Sequence, residues 1–234
     1  MDKKTSLKVG TMILSVTMLS GCNLLSKNEV VINPDNIPSE VIEEQTDDRT
    51  IDLEDKVELV TFDDFRNIEG SIYTYDDLRH INSLIIRIDD DFDYSFLNEL
   101  HNLEFLHIDD YSSGKSLQDI DASNFKEKMS ITITMDPKVG ELNQTRYPFL
   151  KDIKEINNLI LGSDEYPLLI DDDYLEELSN VHCLYLSVNQ NTNVDYDDLE
   201  HLDFLYIDGD TQYVNMNDIN DLKEDGVKVK IKQK

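Results

Sequence analysis

Short pairs of the form apolar-x-apolar recur along the later two thirds of the chain. They begin at Leu84, Leu106, Ile131, Leu159, Leu184, Leu205 and, less regularly, Val227, at spacings of 22, 25, 28, 25, 21 and 22 residues. Counting back from each anchor in steps of three meets further apolar residues. The first unit reads Tyr75, Leu78, Ile81, Leu84, Ile86, and the fifth reads Leu175, Leu178, Val181, Leu184, Leu186. Six such units make thirty positions; 29 are apolar and Lys128 is the exception, where a 39% apolar share would supply about twelve by chance. An amphipathic helix places apolar residues at i, i+3, i+4 and i+7. It does not produce a strict step of three closed by an alternating pair. The pair predicts a short strand, and the segment before it predicts a helix or 3₁₀ turn. Acidic starts at Asp171-Asp172-Asp173 and at Asp195-Tyr196-Asp197-Asp198 suit helix N-termini. One unit of this size cannot bury its apolar side alone, so neighbours must stack and share a core. The aliphatic columns are therefore read as core.

A second column lies five residues past the anchors: Asp89, Tyr111, Asp136, Asp164, Asn189 and Asp210. Together the two columns resemble the leucine-rich repeat, L-x-x-L-x-L-x-x-N/C-x-L, in a degenerate, internalin-like form. The resemblance runs from about Tyr75 to Lys234. It implies an α/β fold: a solenoid of six to seven units with short parallel strands on a concave face and helix or 3₁₀ turns on a convex one. It also implies that the Asn/Asp column satisfies backbone groups of neighbouring coils. The sequence departs from the family where its last aliphatic should stand: Asp91, Ser113, Lys138, Tyr166, Asn191 and Gln212 occupy that column. The final unit also slips by two, with Ile219 and Leu222 before Val227.

The chain starts differently. Lys3, Lys4 and Lys8 precede an 11-residue, mostly apolar stretch, Val9 to Leu19. A spanning helix needs about 20 residues, so this reads as a signal peptide. Leu19-Ser20-Gly21-Cys22 follows directly and resembles the lipobox of bacterial lipoproteins. That resemblance implies diacylglyceryl transfer to the Cys22 thiol and cleavage before it. Two acyl chains hold a protein on a membrane stably. The expected organisation is 1–21 signal peptide, 22–50 flexible tether, 51–74 N-terminal cap or lead-in segment, and 75–234 repeat domain. The tether carries Asn33-Pro34, Ile37-Pro38 and a polar run through Asp48, without apolar period. Within the lead-in, Val57 to Phe62 reads as a short strand. The expected location is extracytoplasmic, on the cell membrane, facing outward.

The net charge of −29 narrows the partners. Such a surface repels phosphate backbones and anionic lipid, which excludes nucleic acid and means that any membrane attachment needs a covalent or inserted anchor. Only Cys22 and Cys183 are present, so a lipidated Cys22 leaves Cys183 as a small, part-buried residue with no disulfide partner. Catalytic patterns are lacking. His80, His101, His107, His182 and His201 are scattered without H-E-x-x-H, and no G-x-S-x-G or phosphate-cradling loop occurs. The acidic runs at Asp89 to Asp93 and Asp171 to Asp173 offer oxygen ligands but lack calcium-loop spacing. They read as solvated faces. No enzyme, cofactor or metal is expected.

Function is expected on strand positions that alternate with the buried pairs. Those positions should be polar by default. Instead Phe105, Phe204, Ile85, Ile160, Tyr185 and Tyr206 appear there. Aromatics on a rigid sheet suit recognition of a protein or peptide. The candidate partner-binding residues are Phe105, His107, Tyr185, Phe204 and Tyr206. The expected protein is a monomeric surface lipoprotein, tied to the membrane through lipid on Cys22. The other reading is an accessory or scaffold lipoprotein of an envelope complex, with no foreign ligand.

Overall fold

Strand periodicity decides which side of each apolar pair is buried. The computed structural model describes residues 48–114, 117–135, 141–163, 169–190, 192 and 194–232. The expected signal peptide, Cys22 and nearly all of the expected tether lie outside the described residues. The described residues fall in one of two compact units of the chain, Gln45–Lys234.

The described residues form ten strands: β1 (Thr50–Asp52), β2 (Val57–Phe62), β3 (Ile72–Thr74), β4 (Ile81–Ile88), β5 (Phe105–Asp110), β6 (Lys128–Met135), β7 (Glu155–Leu161), β8 (Val181–Val188), β9 (Phe204–Gly209) and β10 (Lys228–Lys232). β1 and β3 pair antiparallel as a small sheet. The other eight form one mixed sheet in the order β10-β9-β8-β7-β6-β5-β4-β2. β4 through β10 are parallel to their neighbours, and β2 closes one edge antiparallel to β4. Leu84, Leu106, Ile131, Leu159, Leu184 and Leu205 are direct neighbours across successive strands.

Helix is scarce. α1 (Tyr75–Leu78) has 4 residues, α2 (Asp172–Glu176) has 5 and α3 (Met216–Glu224) has 9. Among the described residues five 3₁₀ turns, such as Ser95–Glu99 and Pro148–Lys151, lie in the connections between strands. α1 is nucleated by a capping box. The Thr74 hydroxyl accepts from the Asp77 N–H at 3.1 Å, and the Asp77 carboxylate accepts from the Thr74 N–H at 2.9 Å.

The core lies between the inner face of the sheet and these short crossings. Of the thirty step-of-three positions all but Tyr75 and Lys128 are buried. Met129, fully buried, takes the place that Lys128 leaves.

The expectation of a leucine-rich-repeat-like solenoid is corrected. The fold is sheet-rich α/β, with few helices, built on one eight-stranded mixed sheet that includes an antiparallel edge strand. Two members of the Asn/Asp column, Asp89 and Asp210, serve local turns. Asp89 Oδ1 accepts from the Asp91 N–H at 3.1 Å, and Asp210 Oδ1 from the Gln212 N–H at 3.0 Å. Both bonds close the residue's own loop, as Asx turns do. Asp136 and Asp164 lie outside the described residues. The step of three reports which residues leave water, and many strand-and-turn arrangements bury residues at that step. A second correction concerns the last strand. Val229 and Ile231, and not Val227, stand beside Leu205 and Ile207. Val227 is buried one position before the strand.

Candidate recognition face

The face of the sheet opposite the core is built from the residues between the buried ones. One row crosses all eight strands: Leu59, Ile85, His107, Thr132, Ile160, Tyr185, Tyr206 and Lys230. A second runs Ser83, Phe105, Ser130, Asn158, Cys183, Phe204 and Lys228. All five candidate residues lie in these two rows, and each is half-buried. Leu59, at the β2 edge, is 47% exposed, so the apolar row continues to the rim.

The structure brings three of the five together. The Tyr185 and Tyr206 rings are 5.6 Å apart at their centroids, and Tyr185 and Phe204 are 6.0 Å apart, both pairs tilted. These separations are in the range of favourable aromatic contact. Tyr185 and Tyr206 are direct cross-strand partners, and Phe204 is diagonal to Tyr185. Burial, then Cys183 and Tyr206 beside it, pushes the Tyr185 hydroxyl above its ordinary value. It remains a neutral donor and acceptor.

Phe105 and His107 stand apart from this cluster. They lie on β5, and β6 and β7 separate them from β8. At a strand spacing of about 4.8 Å that is roughly 14 Å. His107 instead faces Asp109 (Nε2 to Oδ1 3.4 Å) and Thr134 (3.5 Å), and the Thr134 hydroxyl donates to Asp109. The His107 hydrogen bond is the main cause that holds the Asp109 carboxyl below its usual range. The five residues therefore form an aromatic cluster and a polar patch on one face.

Cys183 pairs with Phe204 in register. Burial, and then the Asp203 carboxylate, raises its thiol. It keeps its proton near neutrality and is a poor nucleophile.

Elsewhere the first acidic run is engaged by neighbours. Asp89 pairs with Lys56, and Asp90 accepts from the Ser113 N–H and hydroxyl at 2.9 and 3.0 Å. Among the described residues two other groups, Asp63–Asp64–His80 and Asp195–Asp197–Asp218, bring three ligand-type atoms within 4.8 Å of one another. Their aspartates at positions 63, 64, 195 and 197 are exposed.

Two features are absent from the sequence-derived site. One is a buried polar network. Asp110 Oδ2 accepts from Arg146 Nε at 2.9 Å and from the Tyr147 hydroxyl, while Oδ1 accepts from the Ser112 N–H and hydroxyl at 2.7 and 2.6 Å. Arg146 also donates to the Ser112 carbonyl at 2.6 Å. The sole sequence signal was the longest anchor spacing, 28 residues, which holds both Arg146 and Tyr147. The other is the pairing of the β10 lysines: the sequence sets Lys228 and Lys230 on the outer face, but the two-residue slip of the last strand gives them other neighbours, Phe204 and Tyr206.

No family model matches this chain, and no curated protein matches it. Among the described residues no helix is long and apolar enough to cross a membrane.

Proposed function

We propose that this chain is a membrane-anchored surface lipoprotein that recognises a protein or peptide partner through the outer face of its sheet. The observation that carries the reading is the Tyr185–Tyr206–Phe204 cluster. The Tyr185 ring meets those of Tyr206 and Phe204 at 5.6 and 6.0 Å, yet all three remain half-exposed on the side away from the core. Aromatic side chains on a rigid support present large contact area at small entropic cost, which is why they anchor protein interfaces. The strongly negative charge argues against nucleic acid and against bare adsorption to lipid. The lipid anchor rests on the basic, apolar and Leu19-Ser20-Gly21-Cys22 order at the start of the chain.

The test uses the full-length chain in cells. Partners are crosslinked, purified from membrane extracts and identified by mass spectrometry for the parent and for Tyr185→Ala/Tyr206→Ala. The double variant should lose the partner that the parent captures while it still folds cooperatively, with a transition lowered only by the lost ring contacts. Equal capture by both chains would refute the aromatic face. In parallel, Cys22→Ala should abolish incorporation of a labelled fatty acid and release the protein from the membrane fraction. Labelling that persists would refute the anchor.

A further inference from the structure

The chain carries no Lys or Arg between Lys154 and Lys223, and then Lys228, Lys230 and Lys232 within five residues. All three lie on β10, the outermost strand, and their side chains share the face of Phe204, Tyr206 and Asp208, their partners in register. Val229 and Ile231 alternate with them and are half-buried on the other side. Lys232 pairs with Asp208 at 2.8 Å. Lys230 places its ammonium 5.5 Å from the centre of the Tyr206 ring. Lys228 and Lys230 are exposed and make no ion pair among the described residues. A protein with a net charge of −29 has thus gathered cations on one strand, next to its aromatic cluster.

The backbone of β10 adds direction. The Lys228 N–H donates inward, to the carbonyl of Asp203, the residue just before β9, at 3.2 Å. In a parallel ladder a residue sends both its N–H and its C=O to the same neighbour, and the next residue sends both the other way. Lys228, Lys230 and Lys232 therefore face β9 with their backbones. Val229 and Ile231 present theirs at the open edge, where no strand pairs among the described residues. Lysines on an edge strand are a common guard against aggregation. That role needs no particular ligand and creates no preference among strands of different charge.

We infer that β10 is a strand-addition site for an extended acidic segment of a partner protein. The segment pairs with the Val229 and Ile231 backbone and sets alternate Asp or Glu side chains over Lys228 and Lys230. Main-chain bonds supply affinity in such recognition, and alternate side chains supply specificity. The acidic class follows from charge complementarity. The surrounding surface is negative, so only a segment registered on the lysines gains more than it loses by repulsion. The same negative charge disfavours a second copy of this chain as the occupant. The inference deepens the proposed function: the partner reaches the aromatic face from its β10 edge.

Fluorescence polarisation of a labelled peptide, Glu-Thr-Glu-Val-Glu-Thr-Glu, against the full-length chain tests it. The Gln-for-Glu peptide should bind at least about tenfold more weakly. Charge reversal, Lys228→Glu/Lys230→Glu, should weaken the acidic peptide by about tenfold or more. Two acidic peptides N-methylated on alternate residues, one in each frame, separate strand addition from simple ion pairing. Methylation should abolish binding in one frame only, because one set of amides points at β10. Equal binding of the Glu and Gln peptides, indifference to charge reversal, or equal behaviour of the two methylated frames overturns the inference. So does a peptide signal that emerges only after deletion of residues 23–47, which would place the chain's own segment on the edge. A dimer in sedimentation that charge reversal dissociates would place a second copy there, and also overturns it. If these fail while Tyr185→Ala/Tyr206→Ala still loses the captured partner, the aromatic-face reading stands and the edge inference falls. If the peptide binds as expected while that variant keeps its partner, the reverse holds.

Discussion

Arg146 Nε donates to Asp110 Oδ2 at 2.9 Å across 36 residues of sequence, and both side chains are almost wholly out of water. Removing water from both charges is costly, and their attraction offsets this only when the remaining donors and acceptors are also satisfied. Here they are met by Ser112 and Tyr147. Gly114 helps to close the site. It has φ +87°, and a Cβ there would lie 2.9 Å from Arg146 Cγ. Arg146→Ala leaves the Asp110 carboxylate without its cation, and a loss of about 3–5 kcal/mol is expected by urea denaturation. Arg146→Lys should restore only part of it, because lysine lacks the planar fork. A loss below about 1 kcal/mol for the alanine variant would disprove this account of the pair.

Gly209 ends β9 opposite Val188 with φ +154°. A Cβ built there would sit 2.4 Å from the Val188 carbonyl oxygen, a backbone atom that cannot swing aside. Gly209→Ala must therefore part β8 from β9 at this end. We expect a destabilisation of at least about 2 kcal/mol. Gly70→Ala is the control: its φ is also positive, +98°, but nothing lies within 4 Å of the added carbon. Its loss should be smaller, and thermal melts of the two variants decide.

Asn180 precedes β8 and reaches back to the previous crossing. Its Nδ2 donates to the Leu150 and Ile153 carbonyls at 2.8 and 2.7 Å. Asn180→Ala leaves both acceptors short of a partner, and about 1–3 kcal/mol should be lost. Asn180→Asp removes the donor and adds a charge beside two carbonyl oxygens, so it should be the worse substitution. The reverse order in denaturant titrations would show that the amide is not the bond that matters.

Burial holds the His201 imidazole below its ordinary pKa of 6.5, with hydrogen bonds to backbone opposing the effect only in part. The folded state therefore binds this proton less readily than the unfolded chain. Where the unfolded imidazole titrates, the unfolded state holds more protons and stability rises with pH. The His201 contribution is thus complete above about pH 6.5 and declines as pH falls through and below it. Stability measured from pH 5 to 8 should show this slope, and His201→Gln should flatten it. A parallel pair of curves would assign the slope to other groups.

The Tyr185–Tyr206 contact should be measurable without any partner. The rings are cross-strand neighbours 5.6 Å apart and half-exposed. A double-mutant cycle with alanine at both positions should give a coupling of about 0.5–1.5 kcal/mol. A coupling near zero would mean that the rings are held apart in solution and are free for other contacts.

Much of the core was legible because burial must repeat when neighbouring units share one apolar interior. Leu84, Leu106, Ile131, Leu159, Leu184 and Leu205 begin the recurring apolar-x-apolar pairs, and the sheet sets them side by side. The face that carries Tyr185 and Tyr206 was legible for the same reason, since residues on either side of a buried one point the other way. Fold class was not. The step of three measures which residues are hidden, and a mixed sheet with an antiparallel edge strand hides them at that step as well as a repeat coil does.

The sequence by itself determined the alternation of hidden and exposed positions, because solvent sorts apolar from polar residues locally and with a fixed strand period. Only the tertiary structure decided how the two ends of the sheet pair and which distant polar residues meet. It turned β2 antiparallel to β4, moved the last strand by two residues so that Lys228 faces Phe204, and joined Asp110 to Arg146. A contact between residues far apart in the chain depends on how the intervening loop closes, and hydrophobic periodicity carries no information about that path.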